Sequence, residues 1–252
     1  MKLAIITGAS KGLGAALAKD CIQKGISVFT VSRTENKELE DLSKKHETMY
    51  KQFSCDLSSE QEIEDVTDQL HYDLQEQKPE QVWVLNNAGV VDPIETVGNL
   101  EQNEITKHFQ VNTIAPMTIA NKFLHVDNQV PTYVVNITSG AAKRPMHGWS
   151  MYCSSKAAIN MFTETTALEQ QNTDSIHRII AVSPGIMDTP MQGIIRGASK
   201  ESFQQLEKFQ EYKEQGLLRN PQEVAESIIK LLLSSSINNG HIYSIAELLP
   251  EQ

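Results

Sequence analysis

The sequence predicts an α/β fold: one domain built on a doubly wound parallel sheet with helices on both faces. Three observations carry this reading. Short runs of β-branched and aliphatic residues alternate along the chain with longer segments of helical periodicity, and such alternation implies right-handed crossovers between parallel strands. The 252 residues contain no compositional break, repeat or low-complexity stretch that would mark a second domain. A glycine-rich turn joins the first strand to the first helix, the end of the sheet at which open folds of this kind take their ligand.

The elements follow in order. An apolar strand at 3–6 leads into a turn holding Gly8, Gly12 and Gly14. An amphipathic helix comes next, with Leu13, Ala16, Leu17 and Cys21 at helical spacing and Gly25 as its C-terminal cap. A strand at 26–32 and a short charged helix at 37–45 precede a third strand at 49–53, which ends at Cys55-Asp56-Leu57. Ser59 opens a long helix through about residue 74, with Glu62 as the reciprocal capping residue. A strand at 81–85 runs into Asn86-Asn87-Ala88-Gly89, and a helix is expected over 102–125. A fifth strand at 132–138, a helix at 150–170 and a sixth strand at 178–182 follow. Residues 190–216 read as loop and helix. Asn220-Pro221 then opens a helix to 234, with proline well suited to the first turn, and a last short strand covers 240–245.

Composition excludes several classes of function. A net charge of −10 argues against a nucleic-acid surface, which needs a basic stripe. Acidity is a solubility feature, and it makes a local pair of cations such as Lys11 and Arg33 more informative. No apolar run approaches the ~20 residues that span a membrane, and the N-terminus enters a strand without a secretory apolar segment. The three cysteines, Cys21, Cys55 and Cys153, are odd in number and lack metal-type spacing. They suit a reducing, cytoplasmic location, and no metal is expected. Asn136-Ile137-Thr138 matches a glycosylation sequon by chance, since it falls in an apolar strand.

The chemistry concentrates in four residues. Tyr152 and Lys156 stand four apart and so share a helix face, with Ser139 upstream and Asn112 further back. A phenol titrates near ~10 in water, and a neighbouring cation lowers that value by stabilising the phenolate. A carbonyl reductase needs such a pair. Singly, Lys156 could be an exposed helix lysine, Ser139 a turn former and Asn112 a helix residue bonded to backbone. Together, beside a nucleotide turn, they point to catalysis.

The motifs TGASKGLG at 7–14, NNAG at 86–89, Asn112, Ser139, YxxxK and SPGIMDT at 183–189 occur in that order. With them the chain resembles the short-chain dehydrogenase/reductase family along nearly its whole length. The PGIMDTPMQ segment, the arginine after the second strand and an apolar substrate region are most similar to its sepiapterin-reductase branch. The resemblance implies a Rossmann-type fold and a nicotinamide dinucleotide held by the turn residues Ile6, Gly8, Ser10, Lys11, Gly12, Leu13 and Gly14. It assigns Asp56 and Leu57 to the adenine, Asn87, Ala88 and Gly89 to the surface under the cofactor, and Pro184, Gly185, Ile186 and Thr189 to the nicotinamide. Tyr152 and Lys156 also face the cofactor. An acid at the end of the second strand suits NAD and a base suits NADP. Here Ser32, Arg33 and Thr34, with Lys11, gather two cations and two hydroxyls, so NADP(H) is expected; Glu35 is a mild counter-signal.

In the family's scheme Tyr152 protonates the ketone oxygen and Ser139 orients it. Lys156 lowers the phenol's pKa and grips the ribose, and Asn112 holds a water for proton resupply. Met146, Trp149, Met187, Met191, Ile194 and Ile195, beside Ser139 and Tyr152, make an adaptable apolar wall for aromatic or bulky ketones. The resemblance further implies a 1,2-diketone reduced at one carbonyl to an (S)-alcohol. His147 is read as incidental and Cys153 as a packed thiol. Residues 190–216, with Gly193, Gly197 and Gly216, are expected to form a flexible lid on the substrate. The C-terminal HIYSIAELLPEQ departs from the family's glycine-rich shared tail, leaving a monomer or a homodimer open. Two other readings remain open at this point: an NAD-dependent hydroxysteroid- or polyol-type dehydrogenase, and a non-catalytic NADP sensor of the same fold.

Overall fold

A strand covered on both faces has no polar side, and β1 (Lys2–Thr7) is apolar from Leu3 to Ile6 for that reason. Its alternate residues face opposite layers. Leu3 and Ile5 pack with Ile63, Leu70, Ile119 and Phe123, whereas Ala4 and Ile6 pack with Leu17, Ile22, Val224 and Ile228. The computed structural model describes residues 1–125, 129–173, 175–234 and 236–249.

Among the described residues, seven parallel strands stand in the order β3-β2-β1-β4-β5-β6-β7. The others are β2 (Ser27–Ser32), β3 (Tyr50–Ser54), β4 (Gln81–Asn86), β5 (Thr132–Ile137), β6 (Arg178–Ser183) and β7 (Ile242–Ser244). On one face lie α1 (Gly12–Gln23), α2 (Lys37–Lys45) and α9 (Pro221–Leu233). On the other lie α3 (Glu60–Gln77), α4 (Gln102–Phe109), α5 (Ala115–Phe123) and α6 (Ser150–Gln171). Two short helices, α7 (Pro190–Arg196) and α8 (Leu206–Glu214), sit over the carboxyl ends of the strands against a third, smaller apolar cluster. The order reverses at β1 and β4, and the crevice there is where a ligand binds in such sheets. The structure is the single doubly wound domain that the sequence predicts.

Four details differ from expectation. The helix expected over 102–125 is interrupted by a π turn at Gln110–Ile114. Pro116 has no amide hydrogen for the carbonyl four residues back, and Ala115 N–H reaches Gln110 O instead. Ser59 caps α3 by accepting from Glu62 N at 3.3 Å, but the Glu62 carboxylate accepts from Asp56 N at 2.8 Å. The reciprocal bond fails because Ser59 N already donates to Asp56 O at 2.9 Å. The last strand is only three residues long, since Ser244 and Glu247 form a capping box that starts α10 (Ile245–Leu248). α3 continues to Gln77 and stops at Lys78, whose backbone is left-handed (φ 47). Asn136 is buried, bonded to Asn86 and Thr163, so the sequon is an interior polar network.

Candidate active site

The turn after β1 is built by side-chain-to-backbone bonds. Thr7 Oγ1 accepts from Asn87 N and Ala88 N, each at 3.0 Å, and Asn87 Nδ2 donates to Thr7 O at 2.9 Å. This ties the NNAG segment to the glycine turn. Gly8 has φ +69, and a Cβ there would stand 2.9 Å from Ala88 Cα. A Cβ on Gly14 would meet Gly8 O at 2.3 Å. Gly14 therefore serves the packing of turn on helix and does not face the cleft. Ile6 also departs from expectation, lying wholly inside the core because its strand is covered on both sides.

A single cleft of about 690 Å³ runs over the strand ends. Its first arm is walled by Gly8, Ser10, Lys11, Gly12 and Leu13, by Ser32, Arg33 and Thr34, and by Asp56 and Leu57. Asn87, Ala88 and Gly89 form its floor; Pro184, Gly185, Ile186 and Thr189 close its inner end. These residues fit a dinucleotide. The first turn of α1 carries no acidic residue, and Lys11 at its N-cap makes no side-chain cap bond. Uncapped N–H groups at a helix N-terminus attract phosphate. Lys107, which sequence reasoning missed, also lines this arm and joins Lys11 and Arg33. Ser32 Oγ donates to Thr34 O at 2.8 Å, so its proton is already committed, and Glu35 is exposed. The Asp56 carboxyl is held below its usual range, chiefly by the Ser58 backbone N–H, with contributions from the Ser58 hydroxyl, Arg33 and Lys107.

Tyr152 and Lys156 project from α6 into the middle of the cleft, facing Ser139 at the end of β5. Ser139 Oγ accepts from Ala141 N at 3.2 Å, which caps a short 3₁₀ turn and fixes the hydroxyl beside Tyr152. Burial pushes the Tyr152 phenol upward, and a hydrogen bond with Ser139 pulls it partly back. The lysine does not lower it as expected. Lys156 is itself buried, which brings its ammonium down to about 8, and it donates to Ile137 O at 2.8 Å while standing 5.9 Å from the tyrosine ring centroid. Asn112 comes to the same place. A Cβ on Gly89 would lie 3.3 Å from Asn112 Oδ1 and 3.5 Å from Lys156 Nζ. The Asn112 amide is engaged by protein, accepting from Val90 N and donating to Val90 O, both at 2.8 Å, and donating to His108 Nε2 at 2.9 Å. His108 went unnoticed in the sequence, although it lies four residues before Asn112 and so shares its face.

The second arm is aromatic. Trp149 stacks on Phe203 (4.9 Å, 19°) and meets Tyr152 and Phe209 edge-on at 5.1 and 5.5 Å. Met146, Trp149, Met187, Met191 and Ile195 line the cleft as expected, joined by Arg144 and Phe209. Ile194 does not. It is 47% exposed, because successive residues of α7 point about 100° apart and Ile195 takes the inward place. His147 is absent from the cleft lining, and Cys153 packs with the aromatic cluster, its thiol reaching Arg144 O at 3.7 Å and raised by burial. The segment 190–216 is docked here: Phe203 is 0% exposed, Ser202 Oγ donates to Glu95 Oε2 at 2.8 Å, and Lys213 pairs with Asp188 at 2.7 Å. Among the described residues, no cluster of His, Cys, Asp or Glu could hold a metal ion, and no helix is long and apolar enough to cross a membrane.

Comparison with known proteins agrees with this geometry. A short chain dehydrogenase family profile matches residues 2–200. Benzil reductase ((S)-benzoin forming) of Bacillus subtilis is 41% identical, over 99% of this chain and 100% of that protein. The Bacillus cereus protein of that name is 34% identical, over 98% and 100%. Sepiapterin reductase of Bos taurus is 26% identical over 94% of this chain and 92% of its own. A crystal structure of a short-chain dehydrogenase/reductase from Saccharomyces cerevisiae superposes with a TM-score of 0.85 at 27% identity, covering 99% of this chain and 98% of that one. With a seven-stranded parallel sheet and a glycine-turn cleft in place, the chain belongs to the short-chain dehydrogenase family of oxidoreductases and is similar to its benzil and sepiapterin reductases.

Proposed function

We propose that this protein is an NADPH-dependent carbonyl reductase that reduces one carbonyl of an aromatic or bulky 1,2-diketone. The observation that carries the proposal is the meeting of Ser139 and Tyr152 where a cation-lined arm joins an aromatic one. Bound NADPH supplies the hydride. Lys11 and Arg33 hold the additional phosphate, Arg33 with a forked donor geometry suited to it. Tyr152, kept protonated by burial, is poised as a donor, the direction a reduction requires. Ser139 gives a hydrogen bond to the oxygen on which charge develops. Lys156, anchored on the Ile137 carbonyl, binds the ribose. Trp149, Met146, Met191 and Phe209 take the aromatic groups, and residues 190–216 form the cover that keeps water from the reacting carbonyl.

Purified protein would be assayed by the loss of reduced-nicotinamide absorbance, with NADPH or NADH, against benzil, simple aryl ketones and sepiapterin. Turnover of benzil with NADPH preferred is expected. Equal rates with NADH would refute the coenzyme assignment. Tyr152→Phe should lose about 10³-fold in kcat while NADPH affinity changes less than about twofold; reduction at the parent rate would overturn the acid assignment.

A further inference from the structure

Beside the tyrosine and lysine lies a buried histidine bonded to backbone at Nδ1 and to side chains at Nε2. His108 is 1% exposed. Its Nδ1 stands 2.6 Å from Asp92 O, and a carbonyl can only accept, so the ring proton is on Nδ1 and Nε2 presents a lone pair. That lone pair meets Asn112 Nδ2 at 2.9 Å. The amide cannot be turned around, because Asn112 Oδ1 already accepts from Val90 N at 2.8 Å. Ser155 Oγ stands 3.1 Å from Nε2 and 3.0 Å from Tyr152 O, and its one hydrogen can serve either acceptor. The ring thus joins the loop after β4, the π turn and α6, the helix carrying Tyr152 and Lys156, and it forms a T-shaped pair with the Tyr152 ring at 6.3 Å and 83°.

We propose that His108 is a positioning residue: its neutral Nε2 holds the Asn112 amide, and through it the Val90–Asn112 wall beside Lys156, in one orientation. The inference rests on the reductase reading above for the roles of Asn112, Tyr152 and Lys156. Its physical content is a choice of tautomer. A proton added at Nε2 would set a donor against the Asn112 NH₂, which could keep its bonds to Val90 only by leaving the histidine. The titratable and charged groups around the ring are Lys156 and Tyr152 on α6 and Asp92 in the loop before α4, with the Met151 carbonyl as a further backbone acceptor. Burial lowers the ring's pKa, the Asp92 carbonyl opposes that shift and the Lys156 charge adds to it, so the neutral form holds through neutral pH.

Two measurements on the full chain test this. Nitrogen-15 NMR of the histidine rings reads the tautomer without any need for turnover. A neutral His108 protonated on Nδ1 at pH 7 is expected, and an Nε2-protonated ring overturns the proposal. The second compares His108→Gln, His108→Asn and His108→Phe for kcat, KM, NADPH affinity, melting temperature and the pH profile. Glutamine carries an acceptor out to the Nε2 position, whereas the shorter asparagine reaches only Nδ1. Glutamine should keep kcat within about threefold and flatten the acid limb of the profile. Asparagine and phenylalanine should lose about 10- to 100-fold in kcat, as expected when a buried donor is left unpaired, with NADPH affinity and KM little changed. Losses that follow melting temperature alike in all three variants, or parent kcat in asparagine and phenylalanine, would show a structural role only and overturn the proposal. A parent protein that reduces no carbonyl would overturn the reductase reading instead, and the NMR result would still decide the state of His108.

Discussion

Beside α1 the cleft is walled by backbone, with Gly8 at φ +69, Gly12 at φ +61 and the uncapped start of the helix, whereas beside α7 and α8 it is walled by the rings of Trp149 and Phe209, with Phe203 stacked behind Trp149. The first wall depends on where a side chain is missing. The second depends on which side chains meet across long stretches of chain, since Trp149 and Phe203 stack although 54 positions apart. Backbone walls tolerate almost no substitution because a carbonyl or a helix turn cannot move aside, while ring walls can repack. The two arms should therefore fail differently: one losing coenzyme, the other losing selectivity.

The largest effect is expected at Gly14. A Cβ there would lie 2.3 Å from Gly8 O and 2.5 Å from Asn87 Nδ2, neither able to retreat without breaking the turn. Gly14→Ala should destabilise the protein by about 3 kcal/mol, the upper part of the overpacking range, and abolish NADPH binding measured by fluorescence titration. A variant that bound NADPH normally would show that the turn repacks as freely as the aromatic arm. Arg33→Ala should weaken NADPH by about 10- to 100-fold, the scale of a lost bond to a charged group, and leave NADH affinity unchanged. Equal losses for both coenzymes would place Arg33 away from the discriminating phosphate.

In the other arm, Gly148 has φ +80, and a Cβ on it would come 1.9 Å from Ser202 O, in the loop that brings Phe203 onto Trp149. Gly148→Ala should raise KM for benzil by about tenfold through displacement of that ring wall, with NADPH affinity unchanged. If coenzyme affinity fell as well, the two arms would not be separable. The effect confined to the narrowest conditions concerns Lys156, whose folded-state pKa of about 8 lies below its ordinary value. Above pH 8 the unfolded chain keeps a proton that the folded protein has released, so this residue makes stability rise with pH from about 8 towards about 10. Below pH 8 both states carry the proton and the slope vanishes. The stability difference between the parent and Lys156→Met, from urea unfolding without coenzyme, should change by at most about 1.4 kcal/mol per pH unit in that window. The raised Cys55 thiol acts in the opposite sense but is common to both proteins and cancels.

Sequence and structure agree where the physics is local. Gly8 and Gly12, the strand runs, the Asn220-Pro221 helix start and the four-residue step from Tyr152 to Lys156 are consequences of φ, of strand burial, of capping and of helical pitch, each settled within a few residues. The departures are long-range. The resemblance implies a cofactor contact at Ile6, but the layers on both sides of the sheet enclose it. Glu62 stands at capping-box spacing from Ser59, yet the Asp56 carbonyl takes the Ser59 N–H. Ile194 and Ile195 are equally apolar, and only the seating of α7 decides which one faces the cleft.

The sequence by itself determined the doubly wound sheet, the family and the residues proposed to bind a dinucleotide and handle a proton, because these depend on residue type at short, regular spacing. Only the tertiary structure decided how those groups behave. Burial, not the neighbouring lysine, governs the Tyr152 phenol, and Lys156 is bonded to a strand carbonyl. The Asn112 amide is turned by His108 and Val90, and the aromatic arm closes through Phe203 and Ser202. Desolvation and hydrogen-bond direction depend on everything packed around a group, and that surrounding is assembled from parts of the chain that carry no common motif.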